Sequence, residues 1–202
     1  MTKIKICGLS RDADAEYVNK SMPDFVGFVI GVPKSSRNID CVKAKHLREL
    51  INPNIPTVGV FVNYPIEKAA ELANDGVINI IQLHGSEDEQ YISSLRKLAP
   101  GAEIWKAFVV KSAEDAKKAN KSSADKVLLD SGTGCGKTFD WSAVSGVDRD
   151  FILAGGLNSE NIPKAISQVH PWAVDLSSGV ETDGVKDGEK IELAVRAAHR
   201  PI

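Results

Sequence analysis

Phe151-Ile152-Leu153-Ala154-Gly155-Gly156-Leu157-Asn158 is followed after a helical stretch by Ala173-Val174-Asp175-Leu176-Ser177-Ser178-Gly179-Val180. Each segment is a short apolar strand running straight into glycine and hydroxyl residues. Glycine after a strand lets the backbone approach a ligand and leaves N–H groups free to point at it. Two such turns side by side make a cradle of amide donors for an anion, with phosphate the natural occupant. Read alone, Gly155-Gly156 is equally a tight strand-to-helix turn; Ser177-Ser178-Gly179 at the next strand end favours the cradle. In a (β/α)8 barrel the phosphate site often follows strands 7 and 8.

Working outward, the same strand–helix alternation spans the chain. Strands are expected at Lys3–Cys7, Phe25–Val29, Pro56–Val62, Ile78–Leu83, Ile104–Phe108, Lys126–Asp130, Phe151–Ala154 and Ala173–Leu176. Helices are expected at Asp12–Lys20, Cys41–Ile51, Ile66–Asn74, Glu87–Leu98, Ala113–Ala119, Trp141–Ser145, Asn161–Gln168 and Glu189–Ala198. Ser10, Asp40 and Asn158 or Ser159 stand where N-caps belong, and Pro65 where a helix can begin. This alternation means a parallel sheet. Eight units fit a closed barrel, and no G-x-G-x-x-G follows the first strand. The fold class is therefore α/β, a single compact (β/α)8 TIM barrel over residues 1–202.

Composition sets the outer bounds. The 202 residues suit one domain, with 43% hydrophobic and 26% charged residues. A net charge of −2 argues against a nucleic-acid partner. No apolar run approaches the ~18 residues that cross a bilayer, so no membrane partner is expected. The first residues show no signal-peptide pattern. Cys7, Cys41 and Cys135 are too few and scattered for a disulfide framework or zinc motif. The expected setting is a reduced cytoplasm. Nothing marks an association face, and a monomer is expected.

Strand side chains alternate with period 2. The apolar set should meet the helices and the polar set the barrel interior. That places Cys7, His84, Asp130 and Asp175 together at the C-terminal mouth, where barrel active sites lie. Cys7 alone would be an ordinary buried small residue. Lys5, two residues back on the same face, lies about 7 Å away. It either lowers the thiol pKa or neutralises an interior carboxylate. His84 is either a functional group or a strand-end residue bonded to backbone, and Asp130 either functional or a loop cap. Arg37, in Lys34-Ser35-Ser36-Arg37, suits a carboxylate or phosphate, or is a solvated surface charge. Ser131-Gly132-Thr133-Gly134-Cys135-Gly136-Lys137-Thr138 looks like a P-loop but fails its spacing, because Ser131 stands where the first glycine is required. A lid over the site is the better reading.

These pieces together resemble the phosphoribosylanthranilate isomerase family. The matching segments are Lys5-Ile6-Cys7-Gly8, Ser35-Ser36-Arg37, Val58-Gly59-Val60-Phe61-Val62-Asn63 and Gln82-Leu83-His84-Gly85. They continue with Leu129-Asp130-Ser131 through Phe139-Asp140-Trp141, then Ala154-Gly155-Gly156-Leu157 and Asp175-Leu176-Ser177-Ser178-Gly179-Val180-Glu181. They cover nearly the whole chain in the family's order. The resemblance implies an Amadori rearrangement of N-(5-phosphoribosyl)anthranilate in L-tryptophan biosynthesis, with a small-molecule substrate and no metal or cofactor. It implies Asp130 as general acid on the ring oxygen and Cys7 as general base at C2′, with Lys5 the candidate for favouring the thiolate. Gly155, Gly156, Ser177 and Ser178 match the phosphate cradle, largely through backbone N–H. Arg37 matches the residue holding the anthranilate moiety, and Asp175 a carboxylate on the sugar. Gln82 and His84 match strand-end positions beside the site. Cys135 departs from the family, which often has glycine there.

Three other readings compete. Cys7 as a nucleophile would make an acyl-transfer or thiohydrolase barrel. A silent phosphosugar-binding barrel would bind without turnover, which the presence of both Cys7 and Asp130 opposes. Dual-function isomerases of the histidine and tryptophan pathways resemble this chain but use aspartate where Cys7 stands.

Overall fold

The computed structural model describes residues 1–130, 141–144 and 146–200. Eight parallel strands close on themselves. They are β1 (Lys3–Cys7), β2 (Phe25–Ile30), β3 (Thr57–Phe61), β4 (Ile80–Leu83), β5 (Glu103–Val109), β6 (Lys126–Asp130), β7 (Phe151–Ala154) and β8 (Ala173–Leu176). Each pairs with the next, and β1 pairs with both β2 and β8, with Cys7 opposite Gly27 and Lys5 opposite Asp175. The (β/α)8 barrel read from the sequence is thus observed. A two-residue strand, Asn38–Ile39, extends the sheet beside the end of β2.

The described residues form seven α-helices: α1 (Asp12–Ser21), α2 (Cys41–Leu50), α3 (Ile66–Asn74), α4 (Glu89–Leu98), α5 (Ala113–Lys118), α6 (Ile162–Val169) and α7 (Gly188–His199). Their buried faces follow helical spacing, as in Ile162, Ala165 and Ile166 of α6. The helix expected at Trp141–Ser145 is instead a 3-10 turn, Trp141–Val144, and Ser145 lies outside the described residues. Four residues cannot form the repeated i to i−4 bonds that sustain an α-helix. Asp40 caps α2 through the Lys43 N–H, and Pro65 directly precedes α3.

Two expected caps are displaced. The N-cap of α1 is Arg11 rather than Ser10, because the Asp14 carboxylate accepts from both the Ser10 and Arg11 N–H groups. Asn158 accepts from the N–H groups of Glu160 and Asn161 just ahead of α6, whose N-cap is Asn161. The fourth helix begins at Glu89, because the Glu87 carboxylate is taken by the N–H groups of Asn63 and Gly85 and by Lys106.

The core has two layers. Ile4, Ile6, Val26, Phe28, Ile81, Leu83, Leu129, Leu153 and Leu176 pack outward under the helices. Phe25, Val58, Ile80, Trp105, Leu128 and Ile152 fill the barrel itself. Trp105 packs edge-on against Phe25 and Trp172, and Trp172 lies beneath Lys3 and Lys126, whose Nζ atoms are 4.7 and 4.8 Å from its ring centre. These packed lower layers form the floor under the mouth.

Candidate active site

A cavity of about 260 Å³ opens at the C-terminal ends of the strands. Its walls include Cys7, Arg37, Gln82, His84, Asp130, Gly155, Gly156, Asp175, Ser177 and Ser178. All ten residues singled out from the sequence therefore meet around one space. The lid expected over Ser131–Thr138, with Cys135, lies outside the described residues.

Beneath the opening, Lys5 is fully buried and its Nζ is 2.8 Å from Asp175 Oδ2. Of the two readings for Lys5, it takes the carboxylate as its hydrogen-bonded partner, with the Cys7 thiol within its electrostatic reach. Burial pulls Lys5 down, but Asp175 and Cys7 outweigh it and hold the ammonium above its ordinary 10.5. For Cys7 the balance goes the other way. Burial pushes the thiol above its ordinary 9.0, and Lys5 offsets this only in part, with Asp175 adding to the upward push. Lys5 pulls the thiol towards the thiolate, but desolvation is larger.

Gly27 explains how a lysine and a cysteine share this interior. A Cβ at that position would lie 3.0 Å from both Lys5 Cε and Cys7 Sγ. Glycine inside an apolar strand signals close approach, a clue that period-2 reading of β2 passes over.

Across the mouth, Gln82 and His84 share one face of β4 and its end. Gln82 Nε2 lies 3.1 Å from His84 Nδ1. The amide nitrogen can only donate, so Nδ1 accepts and neutral His84 carries its proton on Nε2. That atom is 3.3 Å from Asp130 Oδ2. Gln82 Oε1 and Asp175 Oδ1 are buried without a hydrogen-bond partner among the described residues. Orphaned acceptors bordering a cavity call for donors from a ligand.

On the far side, Gly155 and Gly156 both have positive φ, 96° and 66°, and follow β7 beside Ser177 and Ser178, which follow the adjacent strand β8. The Ser177 hydroxyl donates to the Cys7 carbonyl at 3.1 Å. Arg37 makes a two-point bond to Glu181, with Nε to Oε1 at 2.7 Å and Nη2 to Oε2 at 2.6 Å. Lys186, 3% exposed, also bonds Glu181. Burial pushes Glu181 up, but Arg37 and Lys186 prevail and hold its carboxyl below the ordinary 4.5. Burial holds Lys186 itself below 10.5. Sequence reading assigned neither Glu181 nor Lys186. They sit on a hairpin, Glu181–Thr182 paired with Val185–Lys186, whose turn residues Asp183 and Gly184 have φ of 51° and 80°. Asp-Gly is the sequence signal of such a turn.

A family model described as N-(5′-phosphoribosyl)anthranilate (PRA) isomerase matches residues 4–197. The chain belongs to that family. An N-(5′-phosphoribosyl)anthranilate isomerase of Clostridium acetobutylicum is 44% identical over 201 residues, covering 95% of each chain. The solved phosphoribosyl anthranilate isomerase of Thermotoga maritima is 38% identical, covers 98% of each chain and superposes with a TM-score of 0.87. A phosphoribosyl anthranilate isomerase solved in complex with reduced 1-(o-carboxyphenylamino)-1-deoxyribulose 5-phosphate is 37% identical over 98% of each chain, with a TM-score of 0.85. Membership places the chain among the isomerases of tryptophan biosynthesis, enzymes that act on a small molecule. No helix among the described residues is long and apolar enough to cross a membrane.

Proposed function

We propose that the chain converts N-(5-phosphoribosyl)anthranilate into 1-(2-carboxyphenylamino)-1-deoxyribulose 5-phosphate, with Asp130 as the acid and Cys7 as the base. The observation that carries this reading is a thiol and a carboxyl facing one cavity from β1 and β6, between a glycine–serine wall and an arginine. Asp130 carries the acidic proton, with His84 Nε2 3.3 Å from its Oδ2. Asp130 gives it to the furanose ring oxygen, and the ring opens to an iminium. His84 then stabilises the carboxylate that remains.

Cys7 takes the C2′ proton, and the enolamine tautomerises to the ketone. The thiol rests protonated because burial dominates. The iminium adds a second positive charge to that of Lys5, so the thiol first gives its own proton to solvent at the cavity mouth and takes the C2′ proton as the thiolate. Every step moves a proton, so the reaction is written without metal or cofactor.

Gly155, Gly156, Ser177 and Ser178 hold the phosphate through backbone N–H, and Arg37 holds the anthranilate carboxylate. Asp175 Oδ1 and Gln82 Oε1 accept from sugar hydroxyls, which satisfies both orphaned atoms. Residues 1–202 act as one domain, as a monomer in the cytoplasm. Its larger exposed apolar side chains, among them Val42, Val109 and Leu193, come from separate segments of the chain. The Thermotoga maritima isomerase, of which generated monomers have been solved, is dimeric, so light scattering on the purified chain tests the monomer directly.

The catalytic test is a fluorescence time course with substrate made in situ, EDTA present, and product confirmed by mass. Cys7→Ser and Asp130→Asn should each lower turnover by about 100-fold or more, the scale of general acid–base groups. Near-normal turnover in either variant removes that residue from the mechanism.

A further inference from the structure

The hairpin after β8 carries a buried charge chain outside the acid–base pair. Lys186 has three ammonium protons and three partners: the Ser177 carbonyl at 3.0 Å, the Ser177 hydroxyl at 3.4 Å and Glu181 Oε1. Its donors are committed within the protein, so it is not arranged as a direct ligand. Glu181 in turn grips Arg37 at Nε and Nη2. Its side chain is 7% exposed and that of Lys186 is 1% exposed. Burying ions is expensive, and an apolar pair would hold a hairpin as well. The hairpin is also fastened elsewhere, by Arg11 to the Lys186 carbonyl and by Lys190 to the Glu181 carbonyl, both at 2.7 Å.

The arrangement acts on Arg37. A guanidinium offers five N–H groups in a fixed plane. Glu181 occupies the edge formed by Nε and Nη2. The edge formed by Nη1 and the second Nη2 proton remains as a fork that matches a carboxylate. The stem is confined from the other side: a Cβ at Gly8 would lie 2.5 Å from Arg37 Cδ. The chain's far end is Ser177, whose hydroxyl bonds the carbonyl of Cys7. Charges along Arg37, Glu181 and Lys186 sum to one positive charge, left for the ligand.

We propose that Glu181 and Lys186 are positioning residues that set the free edge of Arg37 for the substrate carboxylate and tie it to Ser177 at the phosphate end. This rests on the assignment of Arg37 to the carboxylate made above. The two anionic ends of the substrate are then read by one rigid unit, which favours ligands carrying both groups at the right separation.

The test is a double-mutant cycle on the full chain. Glu181→Gln should raise KM roughly 10- to 100-fold, within the range of coupled neighbours, and change kcat much less. In an Arg37→Ala background the same substitution should alter KM by less than about 2-fold, because its effect passes through Arg37. Inhibition by inorganic phosphate should be unchanged in Glu181→Gln. Lys186→Met, read in the same two backgrounds, carries the same KM expectation and serves if Glu181→Gln does not fold. Equal losses in both backgrounds, or an unchanged KM in the wild-type background, would overturn the inference alone. An unchanged KM in Arg37→Ala would overturn the assignment of Arg37 and the inference with it.

Discussion

Lys5→Met removes the cation from the centre of the barrel. The methionine stem follows the lysine's path, so little volume is lost and the perturbation is mainly electrostatic. Lys5 is fully buried, and Asp175 is 8% exposed at 2.8 Å from it. Asp175 Oδ1 already has no partner among the described residues, so the substitution leaves both oxygens uncompensated. Breaking a buried pair by removing one member costs about 3–5 kcal/mol, whereas replacing both members by apolar groups is often neutral. Against a typical total of about 5–15 kcal/mol, that is a large part of the stability. Urea unfolding followed by far-ultraviolet circular dichroism measures it. Lys5→Met with Asp175→Leu should recover most of the loss, although it sacrifices a residue of the proposed site. The same single variant should slow alkylation of Cys7 at fixed pH, since the main influence lowering its pKa is gone. A loss below about 1 kcal/mol, or a double variant no more stable than the single one, would refute the view that burial rather than solvent sets the energetics of this pair.

Other expectations concern pH and close packing. Cys7 and Lys5 both titrate above their ordinary values of 9.0 and 10.5. Their contributions are therefore complete below the unfolded values and lost as pH rises through the folded ones. Stability measured by urea midpoints should fall from about pH 9 upward, with Cys7→Ala removing the earlier part of that fall. Glu87 is the acid counterpart. Burial raises its pKa, but the N–H of Asn63 and the Lys106 ammonium outweigh that and hold it below 4.5. Its contribution is present above pH 4.5 and lost below, so Glu87→Gln should flatten the acid limb of the same titration. Gly179→Ala would place a Cβ 1.8 Å from the Leu157 carbonyl oxygen. Backbone must move, so a loss of about 1–3 kcal/mol and weaker inhibition by inorganic phosphate are expected.

The barrel was readable because its strands announce themselves twice, by apolar runs and by the phase of their polar residues. Lys3–Cys7, Lys126–Asp130, Phe151–Ala154 and Ala173–Leu176 coincide with the observed strands. The convergence of Cys7, His84, Asp130 and Asp175 followed from that phase. What the sequence withheld depends on three-dimensional balance. The direction of the Cys7 shift turns on whether burial exceeds the pull of Lys5, and burial is a property of the closed barrel. Ser10 does not cap α1 because Asp14, four residues on, accepts from the Ser10 and Arg11 N–H groups and the helix starts from Arg11. Lys186 was hidden differently: an exposed-looking lysine in a polar loop becomes buried only when Asp183-Gly184 folds the chain back.

Among the described residues, the packed floor makes the barrel a vessel with one doorway. Below Lys5 and Asp175, Val58, Ile80, Trp105, Leu128 and Ile152 leave no route through the described residues, each being at most 3% exposed. Whatever enters must depart by the path it took. Under the proposed reaction, product and substrate then contend for one threshold and cannot pass each other, so product inhibition is purely competitive and release must precede each new arrival.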